Sequence, residues 1–256
     1  MTLAVDPGWV CMVFLLWLRI GTVFIMLPMF TGLEKFVVLR VLFTLALALV
    51  LMPGLGLQGA RAPLEVPALI GAALSEMVTG ATLGFGALAA FGAFSVAGKI
   101  LDIQSGFGIG SVFDPITRAG SPMFSMMLNM LGVMVFFGME GHHALMRGLA
   151  FSVQQVAPGS GLQGLPVAAV VRQFGLMFSL GVALIAPVMF CLILIEAGFA
   201  MTSRVLPQMN VFVVSIPVKV VAALAMFAMT ISTVGASMGH IYAAIFSYWE
   251  QVLANG

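Results

Sequence analysis

Long runs without a single charge constrain this chain more than anything else in it. Met77–Gly98, Gln173–Ile195 and Val220–Gly239 contain no Asp, Glu, Lys or Arg, and each approaches the roughly 20 residues that cross a bilayer as a helix. Met123–Met139 is shorter and equally uncharged, while Trp9–Phe30 and Val37–Met52 are interrupted only by Arg19 and Arg40. That makes about six apolar helical segments. A β-barrel fits poorly, since no alternation of period two persists and helix-forming Ala, Leu and Met dominate. Composition agrees: 62% of the 256 residues are hydrophobic and 7% charged, too few charges to cover a water-soluble globule. The expected fold class is an all-α, multi-pass integral membrane protein, with lipid or protein around most of its surface.

Several function classes fall away at once. The net charge is +1 with no basic cluster, which excludes nucleic acid as a partner. Cys11 and Cys191 sit inside apolar runs and read as small hydrophobes, not as a disulfide framework. No Lys or Arg precedes Arg19, so the basic start of a cleaved signal peptide is missing. Pro53–Pro63 and Ala157–Pro166 are Gly/Pro-rich and read as loops. No internal repeat or soluble domain is evident. Gly80 with Gly84, and Gly71 with Ser75, have the spacing that lets helix backbones approach closely; packing within the chain is the first reading, contact with another subunit the second. Lys35, Lys99, Arg118, Arg204 and Lys219 against Arg61, Arg147 and Arg172 are too evenly shared between loops to orient the chain.

The misfits say more than the spans. Arg19, Arg40, Glu76 and Glu196 lie in or beside apolar runs, where a lipid-facing charge costs several kcal/mol. Pro28, Pro187 and Pro217 remove backbone donors from apolar segments. Together they predict helices packed against protein, in a subunit whose charges are satisfied by neighbouring subunits. Met123, Met126, Met127, Met130 and Met134 recur at spacings of three and four, one side of a helix. This stripe reads first as an internal packing face and second as a deformable contact surface.

Catalytic signatures are absent: no nucleophile elbow, P-loop or HExxH occurs. Glu140, His142 and His143 cluster in "MEGHHALMR", but adjacent histidines leave a helix on different faces and no fourth ligand is evident. A polar turn at a membrane boundary is the better reading, and no metal, cofactor or enzymatic activity is expected. The one long polar stretch is "AGKILDIQSGFGIGSVFDPITRAGSP", Ala97 to Pro122. Its glycines permit sharp turns, and Asp114-Pro115 and Ser121-Pro122 favour turn initiation. Non-helical backbone at membrane depth survives only inside protein or against an aqueous cavity. The apolar Phe107, Ile109 and Phe113 suit a segment folded into a pore, though a surface connector remains open on these residues alone.

"AGKILDIQSG", followed by "FDP", "SP" and "GHHALMRGL", resembles the FliR family of the flagellar type III export gate, whose injectisome counterpart is the SctT family. "RVLPQMNVFVVSIPVK" (Arg204–Lys219) and "LRVLFTLALALVLMP" fit the same pattern, with Ser-Ile-Pro where many flagellar members carry Gly-Phe-Pro. The resemblance runs from about Leu18 to Lys219. It implies one subunit assembled with several FliP-like and FliQ-like subunits, and beside FlhB- and FlhA-like components, into a pore in the bacterial inner membrane at the flagellar basal body. Unfolded proteins would be the substrate, driven by a partner ATPase and the proton-motive force. Residues 1–165 would be FliP-like and 166–256 FliQ-like, the helices forming bent hairpins shielded by neighbours. Within the 104–122 segment, Gln104, Gly106, Phe107, Gly108, Ile109, Gly110, Phe113, Asp114 and Pro115 would form the plug of the closed pore. Arg204, Pro207, Gln208, Pro217 and Lys219 would set hairpin geometry and subunit contact, their cations facing carboxylates or carbonyl ends. Two other classes stand beside this: an injectisome gate, and a secondary transporter of a small solute with Arg19, Glu76 and Glu196 as buried coupling groups. A purely structural scaffold is not separable from a gate by these residues.

Overall fold

Uninterrupted helix is what such a sequence forms where no water competes for backbone hydrogen bonds. The computed structural model describes residues 7–28, 37–54, 65–107, 122–161, 164, 166–205, 208 and 211–254, less the side chains of 212, 231–234 and 236. The helices are α1 (Pro7–Met26), α2 (Val37–Gly54), α3 (Val66–Ser105), α4 (Met123–Gly138), α5 (Gly141–Gln155), α6 (Val167–Val205) and α7 (Val211–Ala254). No strand occurs among the described residues. Five helices are long and apolar enough to cross a membrane, and α4 with α5, bent at the break between them, makes a sixth candidate. The all-α membrane reading holds.

The helix lengths differ from expectation. α3, α6 and α7 contain 40, 39 and 44 residues, about 60 Å each at 1.5 Å per residue, against a hydrocarbon core of about 30 Å. Hydropathy stops at the first charge, whereas helix continues wherever the charge finds a partner. Ala97–Ser105, the start of the polar stretch, is accordingly the last part of α3 and not loop. Pro28 lies just past the end of α1 and terminates it, while Pro187 and Pro217 sit inside α6 and α7. Glu140, at the break between α4 and α5, is left-handed (φ 56°, ψ 29°).

The chain divides into two compact units. Unit 1 is residues 1–90, 140–174 and 242–256; unit 2 is residues 91–139 and 175–241. Unit 1 is organised around Arg19. Its Nε and Nη2 donate to Glu76 Oε2 (2.6 Å) and Oε1 (2.9 Å), and Nη1 donates to the carbonyls of Ser152 (3.1 Å) and Val156 (2.9 Å). The Gly159 N–H donates to Glu76 Oε1 at 2.8 Å, and Arg19 and Glu76 are fully buried. This corrects the expectation that other subunits must satisfy these charges: they satisfy each other, and Arg19 also caps the end of α5. Gly80 faces the Arg19 carbonyl, which a Cβ there would meet at 2.6 Å. Gly84 packs on Val23 and Met26, so the Gly80/Gly84 pair joins helices of the same chain. Gly71 has open space around it within the chain, while Ser75 lies against Gly161, where a Cβ would meet it at 2.7 Å. From α7, Tyr248 Oη donates to the Thr82 carbonyl (3.0 Å) and Trp249 Nε1 to that of Leu83 (2.9 Å).

The methionine stripe also inverts. Met123, Met126, Met127, Met130 and Met134 are all exposed on α4, and Phe124, Leu128 and Phe136 are its buried side. Two apolar faces compete on this helix, and the one that wins holds Gly132, against which the ring of Phe94 closes. Cys11 and Cys191 are half-buried free thiols.

Candidate functional site

The residues flanking the 108–121 segment define the site, and all of them belong to unit 2. α3 ends at Ser105, and Gly106 follows with φ 93°, a backbone region that favours glycine. Its N–H returns to the Ile103 carbonyl (3.2 Å), and Phe107 meets Phe124 edge-on at 5.8 Å. On the far side, α4 starts after Pro122, which supplies no side-chain cap. Asp102 of α3 supplies it instead. Its Oδ1 accepts from Phe124 N (2.8 Å), and its Oδ2 from Ser125 N (3.0 Å) and Ser125 Oγ (2.8 Å). A carboxylate is favoured there because first-turn N–H groups lack helical partners and present the positive end of the helix dipole. Asp102, at 4% exposure, thus holds α3 to α4 across the segment.

Close backbone approach makes this clamp possible. A Cβ on Gly98 would lie 2.2 Å from Ser125 Cα, so only glycine fits. Ser95 Oγ donates to Asn129 Oδ1 (2.9 Å), and Asn129 Nδ2 to the Ser125 carbonyl (2.7 Å). Sequence reasoning passed over Gly98, Asp102, Ser125 and Asn129 as a group. The available signal was Asp102 itself, an ionisable residue inside a long apolar element.

On the other side of the α3 end lies a cleft of about 380 Å³, lined by Gln104, Gly106, Glu196 and Lys219 with apolar neighbours such as Phe199 and Ile216. Glu196 Oε2 accepts from Gln104 Nε2 (3.0 Å) and stands 3.3 Å from Lys219 Nζ. The structure therefore brings together Gln104, Gly106 and Lys219, which came from two separate motifs. Gln208 and Pro217 are exposed and outside this cluster. The expected carboxylate partner exists for Lys219, whereas Arg204 is exposed in the last turn of α6 and pairs with none among the described residues. Gly108, Ile109, Gly110, Phe113, Asp114, Pro115 and Pro207 lie outside the described residues. His143 Nδ1 is 3.5 Å from Glu140 Oε2 on an exposed surface, and no group of three metal-ligating side chains occurs among the described residues.

The site sits within a chain-wide likeness. A family described as Bacterial export proteins, family 1, matches residues 10–245. The flagellar biosynthetic protein FliR of Bacillus subtilis is 26% identical over 245 residues, covering 94% of this chain and 93% of the relative. Secretion system apparatus protein SsaT of Salmonella typhimurium is 26% identical over 59% of each chain. Yop proteins translocation protein T of Yersinia pestis is 29% identical over 56% of each.

Proposed function

Because this chain belongs to the bacterial export proteins of family 1, we propose that it is the FliR-type subunit of a flagellar type III export gate. It forms, with FliP-like and FliQ-like subunits and beside FlhB- and FlhA-like components, the inner-membrane pore for unfolded flagellar proteins. The observation that carries this is the end-to-end match to a flagellar biosynthetic protein, 94% of this chain against 93% of the relative. A flagellar role is favoured by this end-to-end match, against 56–59% of their length for the two secretion-system relatives, although partial matches of that size also occur among flagellar relatives.

Within this reading the 104–122 segment is the plug, carried by Gln104, Gly106 and Phe107 at its root and Gly108, Ile109, Gly110, Phe113, Asp114 and Pro115 beyond. Residues 1–165 pack in the ring as a FliP-like part and 166–256 as a FliQ-like part. Arg204, Pro207, Gln208 and Pro217 serve the turn and its subunit contacts. Its work in this reading is to shape and seal a passage, not to catalyse a reaction. A small-solute transporter is disfavoured by Arg19 and Glu76, which spend their hydrogen-bonding capacity on one another and on nearby backbone groups and so present no open coupling site.

Purification in mild detergent from cells that also produce the companion subunits tests the assembly. Discrete FliP-like and FliQ-like chains should co-purify. A monodisperse homo-oligomer that binds a small solute would overturn the gate.

A further inference from the structure

Unit 1 carries a cleft of its own, about 270 Å³ and lined by α5 and α7. Each helix brings it one phenylalanine and one charge, a single turn apart: Arg147 and Phe151 from α5, Phe246 and Glu250 from α7. Gly148 and Trp249 make the floor. A Cβ on Gly148 would lie 2.5 Å from the indole, so the ring rests on the α5 backbone. Its Nε1 is committed to the Leu83 carbonyl, which leaves the cleft an apolar ring and no donor. Phe246 stands edge-on to that ring at 6.2 Å. We propose that this cleft binds the headgroup of a membrane phospholipid that carries both a phosphate and a primary ammonium, a phosphatidylethanolamine.

Charge carries the choice of headgroup. Arg147 and Glu250 are both exposed, and neither side chain is ion-paired or hydrogen-bonded to another described residue. Opposite charges that share a cleft without joining each other suit a ligand that carries both signs. A purely anionic headgroup would meet repulsion from Glu250. The guanidinium can donate two hydrogen bonds to phosphate oxygens, and the carboxylate can accept from an ammonium N–H; a quaternary ammonium has no N–H to give. Depth carries the choice of a lipid. Within unit 1, α2 exposes Val37, Val38, Leu42 and Val50, whereas α5 exposes His143, Arg147, Gln154 and Gln155 beside Phe151. A polar helix face interleaved with aromatic residues is what the headgroup level of a bilayer selects. At about 270 Å³ the cleft holds a headgroup and not the acyl chains, which would run outside it along Phe151, 41% exposed.

The test takes the protein extracted in mild detergent with the chains that accompany it, strips its lipid, and adds short-chain phosphatidylethanolamine, phosphatidylglycerol or phosphatidylcholine. Binding is read by native mass spectrometry and by the shift of the melting midpoint. Phosphatidylethanolamine should bind most tightly and raise the midpoint. Phosphatidylcholine should bind roughly tenfold more weakly, the loss of one charge-assisted hydrogen bond. Arg147→Ala and Glu250→Ala should each weaken phosphatidylethanolamine by a similar factor at unchanged yield, since both side chains are exposed. Glu250→Lys should turn the preference to phosphatidylglycerol, whose headgroup is anionic. Equal binding of the three lipids by the wild type, or a preference for phosphatidylethanolamine that survives both alanine variants, overturns the site. So does a wild type that binds none of them while Arg147→Ala or Glu250→Ala sheds accompanying chains, which would make the cleft a protein contact.

Discussion

Glu76→Gln separates the internal account of the buried charges from one in which neighbouring subunits supply their partners. The substitution keeps the shape of the side chain and exchanges an oxygen for an NH₂. Glu76 receives three hydrogen bonds, from Arg19 Nε, Arg19 Nη2 and Gly159 N. A glutamine has one acceptor oxygen for these and must turn its NH₂ toward an N–H donor. The Ser152 and Val156 carbonyls still hold Arg19 Nη1, but the guanidinium is left fully buried without a counter-charge. Removing one member of a buried pair costs about 3–5 kcal/mol. At about 2–4 °C per kcal/mol for a chain of this size, the melting midpoint should fall by roughly 6–20 °C. Differential scanning of the purified complex, with fluorescence from Trp249 beside the Leu83 carbonyl, reads the change. Replacing both charges, as in Arg19→Met with Glu76→Leu, removes the lone charge but orphans the Val156 carbonyl and the Gly159 N–H, each worth about 1–3 kcal/mol; it should recover only part of the loss. A Glu76→Gln complex within 2 °C of wild type, or one that expresses better alone, would refute the internal pairing.

Asp102→Ala deprives Phe124 N, Ser125 N and Ser125 Oγ of their acceptor and should cost about 1–3 kcal/mol for each buried N–H; faster proteolysis at the start of α4 checks it, and unchanged protection would refute the clamp. Gly98→Val drives a side chain into the Ser125 backbone, 2.2 Å from a mere Cβ, and should part α3 from α4; limited proteolysis and complex yield should both show the damage. Arg204→Ala, at an exposed position in the last turn of α6, should change chain stability by less than about 1 kcal/mol and act on complex yield alone. Normal yield there removes Arg204 from the subunit interface.

Much of the fold was legible because membrane solvent imposes one rule on every segment. Apolar runs of the right length become helix even where a lone charge interrupts them, and α1, α2, α3, α6 and α7 obey. The ends were not legible, since hydropathy cannot see that Asp102 caps α4 or that Glu196 meets Lys219. Arg19 and Glu76 were visible as misfits, yet nothing in a linear sequence says that residues 57 apart meet; the inference of outside partners followed from treating each alone. The methionine stripe failed for a subtler reason. Periodicity identifies a face but not its direction, and in an apolar medium no hydrophobic penalty decides between two apolar faces. Packing decides, and Gly132 against Phe94 gave the aromatic side the closer fit. Of the candidate site, Gln104, Gly106 and Lys219 were legible from motif; their convergence on Glu196 was not.

The two holds on the 104–122 segment differ in kind, and the difference predicts how unit 2 moves. Asp102 and Ser125 are 4% and 6% exposed, share two hydrogen bonds, and sit where Gly98 brings the backbones together. That clamp binds the end of α3 to the start of α4 strongly. Gln104 to Glu196 is a single bond at an open cleft. Force applied to the segment therefore parts the weaker contact first, and the end of α3 with the start of α4 moves as one piece against α6 and α7. Spin labels at the exposed Ile103 and Ala200 should report a lengthened distance when the pore is held open by a stalled substrate, while labels at the exposed Lys99 and Met126, beside the clamp, should keep theirs. A change at 99 and 126 without one at 103 and 200 would mean that the clamp, not the contact at the cleft, is the part that yields.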